Sequence, residues 1–389
     1  MRTIRWSCLL VSSLLAAVPE APLPQEEAPG NGDFIAFVGT YTRQDSKGIY
    51  AYRFRPVTGQ LTPVGLVAET ENPSFLALHP NHRFLYAVNE ISNFEGQSAG
   101  SISAFSIDGK TGMLTLLNRV STRGTIPAHL VVDQTGKSLL VANYGSGSVV
   151  VFPLKADGSI AAASAFVQHN GSGSGPRQRG PHAHAVNLSP DNHFVFVPDL
   201  GLDQVLSYRL DPDKGALISN DPPFTGVTRG SGPRHFAFHP NGRAAYTLSE
   251  MGSLVTVFAY DRADGTLKEL QTISTLPKDF NGSNNSAELE VHPNGRFLYA
   301  SNRGHDSIAV FAIDPNVNTL ALVEHVPTGG KIPRNFAIDP TGAYLLAANQ
   351  NTNNMVLFRI DQKTGRLTST GQTIETPSPV CIVFLQARR

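Results

Sequence analysis

GPRHFAFHPNGRAAYTLSE, from Gly232 to Glu250, decides the fold because its pattern returns along almost the whole chain. The stretch is typical of a short strand, a His-Pro-Asn-Gly turn and a second strand. Close copies begin at Asn72 (NPSFLALHPNHRFLYAVNE) and Asn285 (NSAELEVHPNGRFLYASNR), and looser copies begin at Ile126, His182 and Ile332. A pattern that returns about every 50 residues indicates a repeat architecture.

Two further strand-like segments follow each copy, and a tight turn joins them. After the first stretch these segments are SLVTVFAYD and TLKELQTIS, with Asp264-Gly265 between them. Glycine supplies the positive φ that a tight hairpin requires, and Asn318, which replaces it in one copy, tolerates that angle well. Four antiparallel strands per repeat make one propeller blade. The equivalent turn glycines are Gly59, Gly112, Gly158, Gly215, Gly265 and Gly365.

The number and phase of the repeats predict a closed ring. The end of the second strand occurs seven times, first at Thr40 and last at Asn349, and the chain finishes on a first strand, VCIVFL, from Val380. We predict an all-β, seven-bladed β-propeller over residues 34–389, with four antiparallel strands per blade. The C-terminal strand would join the N-terminal blade, which removes the exposed sheet edges that invite aggregation.

The first 33 residues have a different composition. Arg2 and Arg5 precede an apolar run from Trp6 to Val18, and a proline-rich segment follows. This pattern is typical of a secretory signal peptide, which we place at residues 1–21, with a spacer at 22–33. Because the run is short for a membrane span, we predict export to the periplasm or medium, without stable membrane insertion after cleavage. An uncleaved membrane anchor is the alternative.

Composition and motif searches exclude several classes of function. Lys and Arg number 31 and Asp and Glu number 31, so no charge excess indicates a nucleic-acid partner. Cys8 lies in the predicted signal peptide, which leaves Cys381 alone and allows no internal disulfide. The H-E-x-x-H and G-x-x-x-x-G-K-[ST] patterns are absent, so zincin and P-loop interpretations lack their usual markers.

Polar residues at two repeat positions are predicted to line one end of the central channel. These positions are the first residue of the innermost strand and the residue after the second strand, and their charges cluster in blades four to seven. Arginine forks bind carboxylates and phosphates and can stabilise charge on a carbonyl oxygen, while histidine and glutamate can move protons. The set suits ester or lactone chemistry on an anionic substrate. Its members are His184, Arg234, Glu250, Arg303 and Arg334.

Structural roles are the alternative for each of these residues, because polar groups at strand ends are often only solvated. The three histidines of the repeated inner turn, His79, His239 and His292, lie at the opposite end of the channel and are interpreted as turn-builders. Glu90 and Tyr144 occupy the channel-mouth positions of blades two and three. We predict that Glu90, Tyr144, Arg334 and His182 bind substrate.

FVGTYT at the start of the repeats, the PRH segment and NRG-x-DSI-x-VF resemble the bacterial lactonase family of seven-bladed propellers. That family includes the propeller-type 6-phosphogluconolactonase and the fungal carboxy-cis,cis-muconate cyclase. The resemblance implies His184, Arg234, Glu250 and Arg303 as catalytic residues, with His182 as a competitor for the histidine role. It implies no metal or organic cofactor.

The expected function is hydrolysis of a small sugar lactone or anionic lactone, similar to that of 6-phosphogluconolactonase. A lactonising enzyme similar to the muconate cyclase and a non-catalytic extracellular binding module are the alternatives. Arg234 or Arg303 would stabilise the carbonyl oxygen, and either His184 or Glu250 would deliver the proton, with the base role favoured for Glu250. Predicted export conflicts with a cytoplasmic phosphorylated substrate, so the phosphorylation of the lactone and the oligomeric state stay open.

Overall fold

The computed structural model describes residues 32–43 and 45–387, and every helix or strand in them is a β-strand, 28 in all. Within this part of the chain no helix has the length and apolar character needed to cross a bilayer. The predicted signal peptide, residues 1–21, and residues 22–31 of the predicted spacer lie outside the described residues.

The strands form seven four-stranded antiparallel sheets, which confirms the predicted seven-bladed propeller. From the channel outward, blade 1 contains β28 (Pro379–Gln386), β1 (Phe34–Thr40), β2 (Gly48–Arg55) and β3 (Gln60–Glu69), and blade 2 contains β4 (Leu76–Leu78), β5 (Phe84–Asn89), β6 (Ser101–Ile107) and β7 (Leu114–Ser121). Blade 3 contains β8 (Pro127–Val132), β9 (Ser138–Asn143), β10 (Ser148–Pro153) and β11 (Ala165–Gln168), and blade 4 contains β12 (Asn187–Leu188), β13 (Phe194–Asp199), β14 (Gln204–Asp211) and β15 (Ala216–Gly226). Blade 5 contains β16 (Pro233–Phe238), β17 (Ala244–Ser249), β18 (Leu254–Tyr260) and β19 (Leu267–Ser274). Blade 6 contains β20 (Asn285–Val291), β21 (Phe297–Arg303), β22 (Ser307–Ile313) and β23 (Leu320–Pro327). Blade 7 contains β24 (Pro333–Ile338), β25 (Tyr344–Asn349), β26 (Asn354–Ile360) and β27 (Leu367–Glu375).

The ring closes in blade 1, as predicted from the phase of the repeats. Strand β28 pairs with β1 along the length of β1, with Phe34 opposite Gln386 and Val38 opposite Ile382. Just beyond the paired strands, the backbone N–H of Ala387 donates to the carbonyl oxygen of Asp33 at 2.9 Å. The two ends of the propeller are therefore adjacent.

The hydrophobic core lies between the blades. Seven apolar clusters are present in the described residues, and each is built by two neighbouring blades. In the cluster that completes the circle, Phe34 and Phe54 of blade 1 pack with Tyr344 and Leu357 of blade 7. Burying one such side chain contributes about 1.5–3 kcal/mol, so each blade is stabilised mainly by its two neighbours.

The His-Pro-Asn turns are also links between blades. In blade 5, Nδ1 of His239 accepts from the backbone N–H of Asn241 at 3.0 Å, and Nε2 donates to the carbonyl oxygen of Gly295 in blade 6 at 2.7 Å. His79 and His292 make the same pair of bonds, reaching Gly136 and Gly342. This pattern confirms the structural interpretation of these three histidines.

The outer hairpin turn in blade 7 shows why the turn residue is glycine. Gly365 has φ 72°, and a Cβ atom there would lie 2.4 Å from Cδ1 of Phe297 in blade 6. The hydroxyl of Tyr299 in blade 6 donates to the carbonyl oxygen of the same glycine at 2.8 Å. Asn318, which replaces glycine in blade 6, also has a positive φ, 59°, as predicted.

The innermost strand of blade 4 is shorter than predicted. We expected it to begin at His184, whereas β12 contains only Asn187–Leu188. Pro198 on β13 accepts a hydrogen bond from the backbone N–H of His184 at 3.0 Å, but proline has no N–H to return. The ladder is therefore incomplete beside Pro198, and His184 lies in the segment that leads into β12.

Candidate active site

A cavity of about 460 Å³ opens at the end of the channel where the second strands of the blades finish. Most of its wall comes from the two repeat positions that the sequence singled out. It contains four arginines and two glutamates, so its lining carries an excess of positive charge. The lining residues are Tyr41, Arg43, Glu90, Ile126, Ala128, Tyr144, Arg177, His184, Glu250, Arg303, Ile332, Arg334, Gln350 and Asn351.

Glu250 is the centre of the charged cluster. Its Oε1 lies 2.6 Å from Nη2 of Arg177, and its Oε2 lies 3.0 Å from Nε of Arg234 and 2.8 Å from Nη2 of Arg303. Glu250 follows β17, Arg234 lies on β16 and Arg303 ends β21, so blades 5 and 6 hold this cluster in place. Both carboxylate oxygens are therefore occupied by arginine N–H donors.

Burial and the neighbouring arginines act in opposite directions on Glu250. Burial would raise the pKa of its carboxyl group, but the charges of Arg303, Arg234 and Arg177 outweigh it and lower the pKa to about 2. Burial, together with Arg303 and Arg334, lowers the pKa of Arg234 to about 9. At neutral pH the cluster therefore contains an ionised carboxylate and charged guanidinium groups.

Arg234 differs in position from the other predicted catalytic residues. Its side chain is 3% exposed and lies behind Glu250, outside the set of lining residues. Its Nη1 donates to Nε2 of His235 at 2.9 Å and also to the carbonyl oxygen of Ala287. Arg234 therefore holds the carboxylate of Glu250 from the protein side.

Arg334 has guanidinium donors available in the cavity. Its Nη2 lies 3.8 Å from Oε2 of Glu90, and its guanidinium carbon lies 5.1 Å from the centroid of the Tyr41 ring. Tyr41 donates its hydroxyl to Glu90 at 2.8 Å. No hydrogen bond to the guanidinium of Arg334 exists within residues 32–43 and 45–387, so its N–H groups can bind an anion or a carbonyl oxygen.

His184 lies in the cavity wall and has a ring nitrogen without a hydrogen-bond partner among the described residues. The residue is 5% exposed, and its Nδ1 is buried with no hydrogen-bond partner in the described part of the chain. Its ring makes an edge contact with Tyr144 at 5.3 Å between centroids. Burial, with the charge of Arg234 next, lowers the pKa of His184 well below 6.5. The imidazole is therefore neutral at pH 7.

His182, the competing histidine, lies behind the cavity wall. Its ring stacks on Tyr144 with 4.7 Å between centroids, and its Nδ1 donates to the backbone oxygen of Tyr144 at 2.9 Å. It is not among the lining residues. Of the two histidines, His184 is the one that contacts the cavity, and His182 supports Tyr144.

Arg177 is a site residue that the sequence reasoning missed. It lies between β11 and β12, and its guanidinium reaches Glu250, the hydroxyl of Tyr144 at 3.3 Å and Oδ1 of Asn285 at 3.2 Å. The adjacent Gln178 is buried and fixes this loop through Oδ1 of Asp203 at 2.8 Å. The only sequence signal is the pair of arginines in the glycine-rich segment from Gln168 to His184.

Within the described residues no group of three or more His, Cys, Asp or Glu side chains is arranged to hold a metal ion. The chemistry open to this cavity from its own side chains is proton transfer at His184 and charge stabilisation by Arg303 and Arg334.

Comparisons with known proteins agree with the architecture. The family described as "Lactonase, 7-bladed beta-propeller" matches residues 35–384. The 6-phosphogluconolactonase of Bacillus subtilis is 38% identical over 352 residues, which cover 90% of this chain and 98% of that protein. The 6-phosphogluconolactonase of Formosa agariphila is 39% identical over 308 residues, covering 78% of this chain and 86% of that one. The solved structure of a periplasmic gluconolactonase from Pseudomonas aeruginosa superposes with a TM-score of 0.87 at 37% identity, covering 92% of this chain and 100% of that chain.

Proposed function

The chain belongs to the lactonase family of seven-bladed β-propellers, and from this premise we propose that its cavity hydrolyses a small sugar lactone, of the 6-phosphogluconolactone or gluconolactone type. The observation that carries the proposal is the pairing of an unpartnered, neutral His184 with the charged guanidinium groups of Arg303 and Arg334 in one cavity. Ring opening of a lactone requires one proton-transfer group and one stabiliser of a carbonyl oxygen.

In the proposed reaction, His184 takes a proton from water as the water oxygen attacks the lactone carbonyl carbon. The carbonyl π electrons move onto its oxygen, and Arg303 or Arg334 stabilises that negative charge. When the tetrahedral intermediate collapses, the bond between the carbonyl carbon and the ring oxygen breaks. The protonated His184 then gives its proton to the departing ring oxygen, and the product is an open hydroxy acid.

Glu250 has a supporting role in this proposal rather than the base role that the sequence favoured. It is ionised, as expected, but both of its oxygens accept arginine N–H groups. A carboxylate whose pKa is about 2 is also a weak base near pH 7. Glu250 instead holds Arg303 in place and partly neutralises the cluster.

The same groups serve the reverse reaction, because the steps of ring opening are retraced in ring closure. Condensation of the corresponding hydroxy acid to its lactone, with loss of water, therefore uses the same residues. Assays in both directions, on the lactone and on the corresponding acid, determine which reaction the protein favours.

The test is hydrolysis of glucono-δ-lactone and 6-phosphoglucono-δ-lactone by the purified protein and by single variants. We expect His184→Ala to lower kcat about 10²–10⁴-fold and Arg303→Ala to lower it about 10²–10³-fold. Arg234→Ala and Glu250→Gln should also lower turnover, because Glu250 holds Arg303 and Arg234 holds Glu250. Arg179→Ala is the matched control, since Arg179 lies in the same loop as Arg177, is exposed and does not line the cavity.

Two outcomes would contradict the proposal. Wild-type turnover in all four site variants, each with an unchanged melting temperature, would place the chemistry elsewhere. Absence of turnover in both directions, with tight binding of a sugar lactone or acid, would favour the binding-module alternative.

We also propose that the protein is exported. The support is the charged and apolar pattern of residues 1–21 together with the periplasmic location named for the Pseudomonas aeruginosa relative. Mass spectrometry of the protein from its own host should give a mature N-terminus near residue 22. Full-length protein in the cytosol would contradict export.

A further inference from the structure

A buried chain of hydrogen bonds runs beneath the cavity, and the proposed chemistry does not use it. Nη1 of Arg234 lies 2.9 Å from Nε2 of His235, and Nδ1 of His235 lies 2.7 Å from Oε1 of Glu288. Nδ2 of Asn335 donates to Oε2 of Glu288, and Oδ1 of Asn335 accepts from the backbone N–H of Ile382. The four residues come from blades 5, 6 and 7 and are each no more than 6% exposed.

The donors and acceptors in this chain fix the position of every proton. Arginine only donates, so Nε2 of His235 must accept, and the ring proton must lie on Nδ1. That N–H donates to Glu288, whose other oxygen accepts from the amide of Asn335. An imidazolium at position 235 would place one N–H against the N–H of Arg234. Burial, which lowers the pKa of His235, also favours the neutral ring.

We propose that Glu288 is a positioning residue, which through the tautomer of His235 fixes the orientation of Arg234 and so of Glu250 at the cavity wall. With Nη1 of Arg234 held by His235 and by the carbonyl oxygen of Ala287, its Nε is directed at Oε2 of Glu250. In the opposite tautomer the Nε2–H of His235 would face an N–H of Arg234, and this repulsion would turn the guanidinium away from Glu250. The inference rests on the proposed lactonase function for its kinetic test.

The kinetic test is Glu288→Gln. A glutamine can accept on only one side, and Oε1 of Glu288 also accepts from the backbone N–H of Leu289 at 3.0 Å. With the glutamine oxygen on that side, its NH₂ meets the NH₂ of Asn335; in the other orientation a donor meets His235 and Leu289. We expect kcat to fall about 10- to 100-fold, by analogy with the partners that orient metal-bound histidines. KM should change little, because Glu288 does not line the cavity.

Two further variants separate positioning from loss of structure. In Glu288→Gln/Asn335→Asp the new carboxylate accepts from the glutamine amide, so the glutamine oxygen is free to accept from His235, and most of kcat should return. Glu290→Gln is the matched control on the same strand. Burial raises the pKa of Glu290 to about 8, so this change removes no charge at pH 7, and wild-type kinetics are expected.

A second measurement does not depend on turnover. ¹⁵N NMR of histidine-labelled protein, with the His235 signals assigned from a His235→Asn spectrum, should show a protonated Nδ1 and an unprotonated Nε2 at pH 7. The opposite tautomer or an imidazolium would overturn the proposal. So would unchanged kcat in Glu288→Gln, or a double variant that regains its melting temperature but not its kcat. Failure of the wild type to act on any lactone would count against the proposed function alone.

Discussion

At the scale of single residues, the two groups that could accept a proton have been placed in contrasting surroundings. Glu250 lies within 3.0 Å of three guanidinium groups, whereas Nδ1 of His184 has no partner in the described residues. Burial and positive neighbours keep His184 neutral, and positive neighbours keep Glu250 ionised. Three of the roughly four acceptor sites of the Glu250 carboxylate are already taken by arginines, which is why we propose His184 as the base.

This contrast predicts the pH dependence of hydrolysis. A base must be deprotonated, and the pKa of His184 is lowered first by burial and then by nearby charges that include Arg334. Activity should therefore stay level through neutral pH and fall only as the pH drops below 6.5. The profile of kcat/KM against pH measures this. Arg334→Gln removes one of those charges and should move the acid limb to higher pH. If the acid-side fall of kcat/KM in the wild type had its midpoint at or above pH 6.5, His184 would be excluded as the base.

Arg177 predicts a charge effect on substrate binding. It is the one arginine partner of Glu250 that is substantially exposed, with 44% of its side chain accessible at the cavity mouth. Arg177→Gln removes one positive charge from the lining, so KM for the phosphorylated lactone should rise about 10-fold and more than KM for the neutral lactone. The measurement is the ratio of the two KM values.

Arg179→Gln makes the same change in net charge nearby without touching the cavity, and it should leave that ratio unchanged. Equal ratios in the two variants would show that Arg177 does not contact the substrate.

Much of the candidate site could be predicted from the sequence, because repeat positions give spatial neighbours. Residues at equivalent ends of the strands converge by symmetry, which is how Glu250 and Arg303 were identified. Arg177 lies in a loop whose path depends on buried contacts of Gln178 with Asp203, and loops have no period. Glu288 was missed because it lies in the middle of the innermost strand β20, where AELEV reads as ordinary strand sequence.

At the scale of elements, the inner turns link one blade to the next. His239→Ala would remove an acceptor for Asn241 and a donor to Gly295. Two lost hydrogen bonds should lower the free energy of unfolding by about 1–3 kcal/mol, with kcat unchanged because this turn is remote from the cavity. Denaturant unfolding measures the difference. His193→Ala, in the equivalent turn of blade 4, is the control because its side chain is 75% exposed. Equal unfolding midpoints for His239→Ala and the wild type would contradict the role of His239 in linking the blades.

Element boundaries were predicted less well than element order. The hairpin turns were located correctly, since positive φ at positions such as Gly365 and Asn318 has a strong residue preference. The start of β12 was not located correctly, because the missing N–H of Pro198 affects a neighbouring strand in the sheet that lies about ten residues away along the chain. A strand end depends on its partner as well as on its own residues.

At the scale of the whole molecule, ring closure predicts a cooperative loss of structure. Removing residues 378–389 would leave β1, all seven residues of which are buried, without its inner partner. Cys381, Ile382 and Leu385 would also leave two of the apolar clusters. We expect aggregation or loss of a single unfolding transition, measured by calorimetry. Removal of only residues 388–389 is the control, and a normal transition in the longer deletion would contradict the closure.

The position of the two ends has a practical consequence. Asp33 and Ala387 meet where β1 begins, and β1 runs from there to Tyr41 in the cavity wall, about 23 Å along the channel. These two residues therefore lie on the side opposite the mouth. A bead or a carrier domain joined directly at Asp33 or Ala387 would stand behind the molecule, and the mouth would remain turned toward the solution.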